Sequence, residues 1–497
     1  METEPGDTFA LSFGGKAASY RIRWATVDMM SEKMTRWFPW ALLVICAVTY
    51  AGQMNNDFMV DDPAFFRGGN FDSNFQKPAD FLGGEGTRHF FPLYLYLNVT
   101  KHRLFPDFPP AHHLINLTLF FIACWLLYLV VHWLTGDLWP SILTAVFFCI
   151  HPVNADNLSH TDITNSLLAA VMMTSTFLCL SVYIRSRSKP LLYWLGVFFY
   201  FVAVGCGEPA LLFPLYVFLF LFVGVKQDLK VSLKWAAPFF LIALSAFIFW
   251  MHFYGPSGQL LKGFRMLDVN AVEYVASVFY SIFWYIRNIC YPGPIFLIHN
   301  FLPVQGNQAV LWFLLMVAVA LQLVWLVKRW GRDRKTFALL WFFTGFIFVF
   351  PASLAHPAMG FVLEPYWLFF PTMGGMFLVA LLLTELQPKV GPRVYVIFLS
   401  VILALWFVRT QEKHFIADNE PLYAYHWLKA CPGNLVAGLI LSSYYEEEDV
   451  DIDPELIPEM TRLIEIFYRT GTYDRAEKLN DKLIKTMHKL GASPANQ

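Results

Sequence analysis

The stretch "HHLINLTLFFIACWLLYLVVHWL", residues 112–134, runs for 23 residues without an Asp, Glu, Lys or Arg. A helix needs roughly 20 apolar residues to cross the hydrocarbon of a bilayer, so this run has the length of a membrane span. Similar runs lie at about 37–54, 139–151, 163–184, 191–206, 209–225 and 235–252. A second series follows at about 272–290, 309–328, 336–351, 366–384 and 394–408. The whole chain of 497 residues is 57% hydrophobic and 15% charged, with a mean hydropathy of +0.48. Soluble domains carry about 25% charged residues, so most of this surface must face lipid. The expected fold is all-α: a polytopic transmembrane helix bundle of about 11–13 spans.

The net charge of −1 says nothing about partners; no basic block suggests nucleic acid, and membrane lipids are the first partner expected. The seven cysteines form no CxxC pair and show no metal-ligand spacing. A polar stretch of 36 residues precedes the first apolar run, which argues against a signal peptide. Arg21, Arg23, Lys33 and Arg36, then "RSRSK" (185–189), "KQDLK" (226–230) and "KRWGRDRK" (328–335), mark cytoplasmic loops by the positive-inside rule. The domains then read as a cytoplasmic segment 1–36, a transmembrane domain 37–409 and an extracytoplasmic helical tail 410–497. Residues 55–111 form the first outer loop, with "FFPLYLYL" as an in-plane helix. Orientation counted from the two ends agrees only if 253–308 holds an extra crossing or broken structure, and "YPGPIFLIHNFLPV" (291–304) is the candidate. In the tail, "EEEDVDIDPE" (446–455) has seven acidic residues in ten and reads as a solvated linker. "LIEIFYRTGTYDRAEKLNDKLIKTMHKL" after it reads as an exposed helical hairpin.

Ionisable residues gather at the outer ends of the spans. Asp61 and Asp62 stand in "DFMVDDP" (57–63). "HPVNADNLSHTD" (151–162) carries His151, Asp156, His160 and Asp162, "GCGEP" (205–209) carries Glu208, and "AHPAMGFVLEPYW" (355–367) carries His356 and Glu364. Acids bordering spans on one side of a bundle point to a shared cavity. Taken singly, each has a plainer reading. The doublet suits a solvated loop, Asp162 and Glu208 suit helix caps, and His112 and His113 suit interfacial polar tips. No two histidines have the helical i, i+4 spacing of a zinc site, so no metal is assigned.

Read together, the motifs resemble the polyprenol-dependent membrane glycosyltransferases of the GT-C fold. The chain is most similar to the O-mannosyltransferase-like group with C-terminal tetratricopeptide repeats. The matching pieces run in order as "FMVDDPAFF", "FFPLYLYLNVTKHRLFPDFPPAHHLINLTLF", "HPVNADNLSHTDITNSLLAAV", "GEPALLFPL", "LEPYWLFFPTMG" and "EKHFIADNEPLYAYHWLKACPGN". "YRTGTYDRAEKLNDKLI" resembles a single repeat, making the tail TPR-like. The resemblance implies transfer of a hexosyl or mannosyl group from a polyprenyl-phosphate carrier to a protein or glycan acceptor on the outer face. Asp61 and Asp62 would be the catalytic carboxylates, taking the acceptor's proton or holding a divalent cation. His151, Asp156, Glu208 and Glu364 would support the cavity.

The chain departs from the family at its basic positions: "HPVNAD" replaces "HPVHTE", Gly207-Glu208 replaces Lys-Glu, and Glu364-Pro365-Tyr366 replaces Glu-Arg-Tyr. Phe91 stands where an Arg is expected. The donor phosphate would fall to Arg88, His89 and Arg265, with Lys101, Arg103, Lys262 and Arg287 as further cations. The loss of cations raises an alternative, a non-catalytic GT-C-like scaffold subunit that joins a membrane protein complex through its tail. Either a bacterial inner membrane or the endoplasmic reticulum fits the sequence.

Overall fold

The computed structural model describes residues 29–60, 92–186, 189–254, 265–293, 295–354, 359–448, 450–470 and 473–490. Asp61, Asp62, Arg88, His89, Lys262, His356 and Gly471 lie outside the described residues.

The chain is an integral, multi-pass helical protein. Helix α1 (Met29–Tyr50) is followed by α2 (Pro92–Leu104), α3 (Pro109–Thr135), α4 (Leu138–Ile150), α5 (Val153–Ser159), α6 (Thr164–Ser186) and α7 (Pro190–Val204). Next come α8 (Glu208–Gly224), α9 (Leu229–Tyr254) and α10 (Ala271–Cys290). Strand β1 (His299–Phe301) precedes α11 (Gly306–Trp330), α12 (Arg334–Thr344) and α13 (Phe346–Ala352). After β2 (Phe361–Leu363) come α14 (Phe369–Val390) and α15 (Pro392–Ala417), and the tail adds α16 (Glu420–Ala430), α17 (Leu435–Glu447), α18 (Ile457–Thr470) and α19 (Tyr473–Lys489).

Each apolar run of the sequence thus becomes a helix. Among the described residues eight helices are long and apolar enough to cross a membrane, or up to nine if the pair α4–α5, bent by 52°, is one span. Helices α7 and α8 are apolar but shorter, and α10 is not among the eight. Proline opens α3, α7 and α15, where a missing N–H costs nothing. Asn270 starts α10 with a capping box, accepting from the Val272 and Glu273 N–H groups while Glu273 accepts from its own.

Packing inside the bundle is aromatic. Phe177, Phe213, Phe220, Trp341 and Phe370 interlock on α6, α8, α12 and α14, with ring centroids 4.8–5.9 Å apart along the chain of contacts from Phe177. Small residues admit this closeness: a Cβ on Gly374 of α14 would stand 2.6 Å from Trp341 Cγ. Helix α11 is the opposite case, with none of its apolar window buried, and it rests on α10 and α12.

The 291–304 stretch is irregular, as its prolines and glycine suggest, but it contains a strand. β1 pairs antiparallel with β2, His299 opposite Leu363 and Phe301 opposite Phe361. Gly360 enters β2 at φ +96°, and any Cβ there would collide with the Phe301 carbonyl oxygen.

The tail corrects two expectations. Its hairpin is not a free appendage: Ala476, Leu479 and Leu483 of α19 and Leu463 and Phe467 of α18 are buried in one core with α16 and α17. That core continues into the membrane domain's rim through Met59, Ile163, Phe296, Leu297, Ile298, Met359, Val362 and Trp367. The acidic linker is not wholly solvated either, since Ile452 within it and Leu456 just after it are buried in the same core. Ala476 is buried where the repeat resemblance wants a small residue, whereas Tyr473 is exposed.

Candidate functional site

"HPVNADNLSHT" is polar enough to be a surface loop, yet all of its residues, 151–161, are buried. Bend and burial have one cause: α4 ends at His151-Pro152, and α5 turns under the tail rather than out to solvent. A buried polar segment must find its hydrogen bonds inside the protein, and these bonds assemble the site.

His151 is fully committed to structure. Its Nδ1 accepts from the Val153 N–H at 3.1 Å, so its Nε2–H donates to the Ile289 carbonyl at 3.0 Å, and its ring meets Trp406 edge-on at 4.4 Å. Asn154 donates to the Phe148 carbonyl at 2.7 Å.

Asp156 is different. The Tyr423 hydroxyl of α16 donates to Oδ1 at 2.8 Å, while Oδ2 is buried without a hydrogen-bond partner. Tyr423 in turn accepts from the Leu297 N–H at 3.1 Å and from His160 Nε2 at 3.2 Å. That arrangement puts the His160 proton on Nε2 and leaves Nδ1 bare and unpartnered. His160 Nε2 also stands 3.9 Å from Asp156 Oδ2, too far for a hydrogen bond. Burial dominates its protonation and, with His113 nearby, lowers the His160 pKa to about 3. The same burial, and then the Asp156 charge, push the Tyr423 hydroxyl well up, so it stays a donor.

A cation serves the other end of the segment. Lys101 of α2 is buried, and its Nζ donates to the Thr161 carbonyl at 2.8 Å and to Thr164 Oγ1 at 2.7 Å. Asn116 of α3 completes this corner, donating to the His160 carbonyl at 3.1 Å and accepting from Thr164 Oγ1 at 2.6 Å. His112 and His113, expected as interfacial tips, are both buried beside it; the Phe58 ring covers His112 edge-on at 5.1 Å.

The chain that leads to the acidic doublet arrives at the same place. Gln53 donates to the Ala155 carbonyl at 2.9 Å, Phe58 and Met59 are buried, and the Val60 N–H donates to Glu420 Oε1 at 2.6 Å. Glu420 lies one turn before Tyr423 on α16. Glu364 is buried beyond β2 and accepts from the Tyr366 hydroxyl, which also feels the charge of Asp162. Glu208 occupies a different wall, lined by Val204, Gly207, Leu211, Ala246 and Trp250. Arg265 is exposed just before α10.

The structure therefore gathers Asp156, His160, Asp162 and Glu364 at one rim, together with the approach to Asp61. It places Glu208 and Arg265 elsewhere, and gives His151 a structural role. Tyr423 escaped the sequence reading because it sits in the tail, 267 positions from its partner. Lys101 was one of several interchangeable cations until burial singled it out. A cavity of about 450 Å³ lies within the tail between Tyr444, Tyr445, Val450–Pro454, Thr486, Lys489 and Leu490, and shares no lining residue with this rim.

The site carries a pH signature. The His299 Nε2 accepts from the Phe296 N–H at 2.8 Å, and burial, then Lys413, holds its pKa well below the ordinary value. Both His160 and His299 are thus neutral when folded and free to protonate when unfolded. The unfolded state binds the extra protons as pH falls below about 6.5, so stability is flat above that value and drops below it, down towards pH 3 for His160. Each imidazole costs roughly 2 kcal/mol by pH 5. The melting temperature of the purified protein should fall between pH 7 and pH 5, and His160→Asn should reduce that fall by one imidazole's share; a pH-independent melt contradicts the neutral pair.

No family model matches the sequence, and no curated protein sequence matches it. Among solved structures the chain is similar to ArnT from Cupriavidus metallidurans bound to undecaprenyl phosphate, with 12% identity and a TM-score of 0.43, over 93% of this chain and 76% of ArnT. It is also similar to the archaeal oligosaccharyltransferase AglB from Archaeoglobus fulgidus in complex with an inhibitory peptide and a dolichol-phosphate, with 13% identity and a TM-score of 0.43, over 86% of this chain and 60% of AglB.

Proposed function

We propose that the protein is a GT-C-type membrane glycosyltransferase that moves a sugar from a polyprenyl-phosphate carrier to an acceptor at this rim, on the non-cytoplasmic face. The observation that carries the reading is the buried segment 151–161. One end offers the buried, unpartnered carboxylate oxygen of Asp156, and the other binds the buried ammonium of Lys101. A lipid-phosphate donor requires both signs of charge: a cation for the leaving phosphate and carboxylates for the acceptor's proton. Lys101 answers the deficit of basic residues that the motifs leave open. The carboxylate pair is Asp61 and Asp62, with Asp62 as the base and Asp61 as its partner, raising its pKa or helping to hold a divalent cation. Asp156 and Glu364 supply further acids at this rim.

The test is transfer of labelled sugar from a polyprenyl-phosphate donor in membranes containing the protein. Lys101→Met is expected to raise the donor KM at least tenfold. If the wild-type protein transfers nothing from any such donor, the enzyme reading fails.

One observation favours a second reading, a non-catalytic scaffold subunit. The tail interlocks with the rim through Trp427 Nε1 to the Ile298 carbonyl at 2.7 Å, Asn300 to the Pro432 carbonyl at 2.9 Å and Asn434 to Ile298 at 3.2 Å. Such a clamp would suit a stable assembly surface. A large assembly surviving mild solubilisation, with no transfer activity, supports it; an active lone particle rules it out.

A further inference from the structure

The tail reaches further into the site than a packing role requires. Helix α16 reaches both Asp156 and the described chain that ends at Val60. Glu420 binds the Val60 N–H at the entrance to Asp61, and Tyr423 binds Asp156. Residues three apart lie on one helix face, so a single rigid surface of the tail faces both. The Tyr423 hydroxyl makes three contacts, to Asp156, to the Leu297 N–H and to His160, drawn from two separate stretches of the membrane domain. Its ring is fixed by Phe296 at 5.2 Å, Trp427 at 5.5 Å and His160 at 5.6 Å, so the hydroxyl has little freedom to search. Simple satisfaction of Asp156 would engage both carboxylate oxygens. Here Oδ1 is held, while Oδ2 has no hydrogen-bond partner and the nearby Lys413 offsets the charge without bonding to it, so one oxygen is left available.

We infer that Tyr423 is a positioning residue supplied by the tail: it clamps Oδ1 of Asp156 and so fixes the direction of Oδ2, and the site is complete only while α16 is seated. This rests on reading the rim as a transferase site. It makes the tail part of the site's machinery rather than an attached module. It also implies a means of regulation, because anything that lifts α16 loosens Asp156 and the chain entering the doublet together.

Tyr423→Phe removes the hydroxyl and keeps the ring, so the protein should fold and melt within a few degrees of wild type. Two measurements on the full-length protein in membranes then decide. In the transfer assay, kcat is expected to fall about tenfold with the donor KM unchanged, because the hydroxyl faces no donor phosphate. Separately, labelling of Asp156 by dicyclohexylcarbodiimide, read by mass spectrometry, is expected to rise several-fold once the carboxyl can rotate free. Tyr425→Phe, which removes a hydroxyl of the same helix that reaches Glu455 rather than Asp156, should leave labelling unchanged. Equal labelling of wild type and Tyr423→Phe overturns the inference whether or not any sugar is transferred. Increased labelling with an unchanged kcat in an active enzyme overturns the positioning role. A wild type that transfers nothing, with the labelling contrast intact, sinks the transferase reading while leaving the clamp standing.

Discussion

Replacing Asp62 with Asn is expected to lower sugar transfer by about 10²–10⁴-fold, the range for removal of a general base, with little change in donor KM. The amide has the size of the carboxylate but cannot take up the acceptor's proton. The argument for this residue combines the motif with the route of the chain towards it. Residues 53–60 lie against α5, with Gln53 on the Ala155 carbonyl, and finish at the bond from the Val60 N–H to Glu420. Val60 takes φ 57°, a conformation that costs a β-branched residue about 1–3 kcal/mol and persists only when its surroundings enforce it. Here the enforcement comes from Glu420 and from the buried side chains of Phe58 and Met59. Asp61→Asn, by contrast, should retain more activity than Asp62→Asn. Undiminished transfer by Asp62→Asn in a membrane assay removes it from the mechanism.

Trp427→Ala is expected to destabilise the protein by about 3–5 kcal/mol, as for other buried Trp truncations, and to release the tail from the rim. The indole is fully buried, lies 5.5 Å from Tyr423, is stacked with Phe296 at 6.3 Å, and donates to the Ile298 carbonyl. Truncation opens a cavity at the junction of tail and membrane domain and deprives Ile298 of its shorter hydrogen bond, leaving the 3.2 Å one from Asn434. The helices of the bundle keep their own core, so damage should concentrate at the junction. Limited proteolysis reads this directly: new cleavage between about residues 417 and 435 with the spans still protected. A variant that melts and resists protease like wild type would show that the tail holds its place without this anchor.

The bundle was legible in the sequence because lipid imposes a local rule. A backbone in hydrocarbon must satisfy its own hydrogen bonds, so an apolar run such as 112–134 has one solution wherever it sits in the chain. The broken stretch 291–304 was legible for a related reason, since its prolines and glycine forbid a continuous helix. That it supplies a strand partner for 361–363 was not, because strand pairing depends on a segment some 60 residues away. The acids at the span ends could be recognised as one-sided by topology. Their grouping could not, since nothing local distinguishes Asp156, drawn into the rim, from Glu208 on another wall.

Composition and periodicity alone thus determined that this is an all-helical, multi-pass membrane protein with an ionisable rim and a helical tail. Only the tertiary structure decided that "HPVNADNLSHT" is buried, that Lys101 is its cation, that His151 is structural and that the tail's Tyr423 closes on Asp156. The physical reason is range. Solvation by lipid acts on each segment by itself, whereas a buried carboxylate's partner can come from anywhere the fold brings within 3 Å, here from 267 residues away.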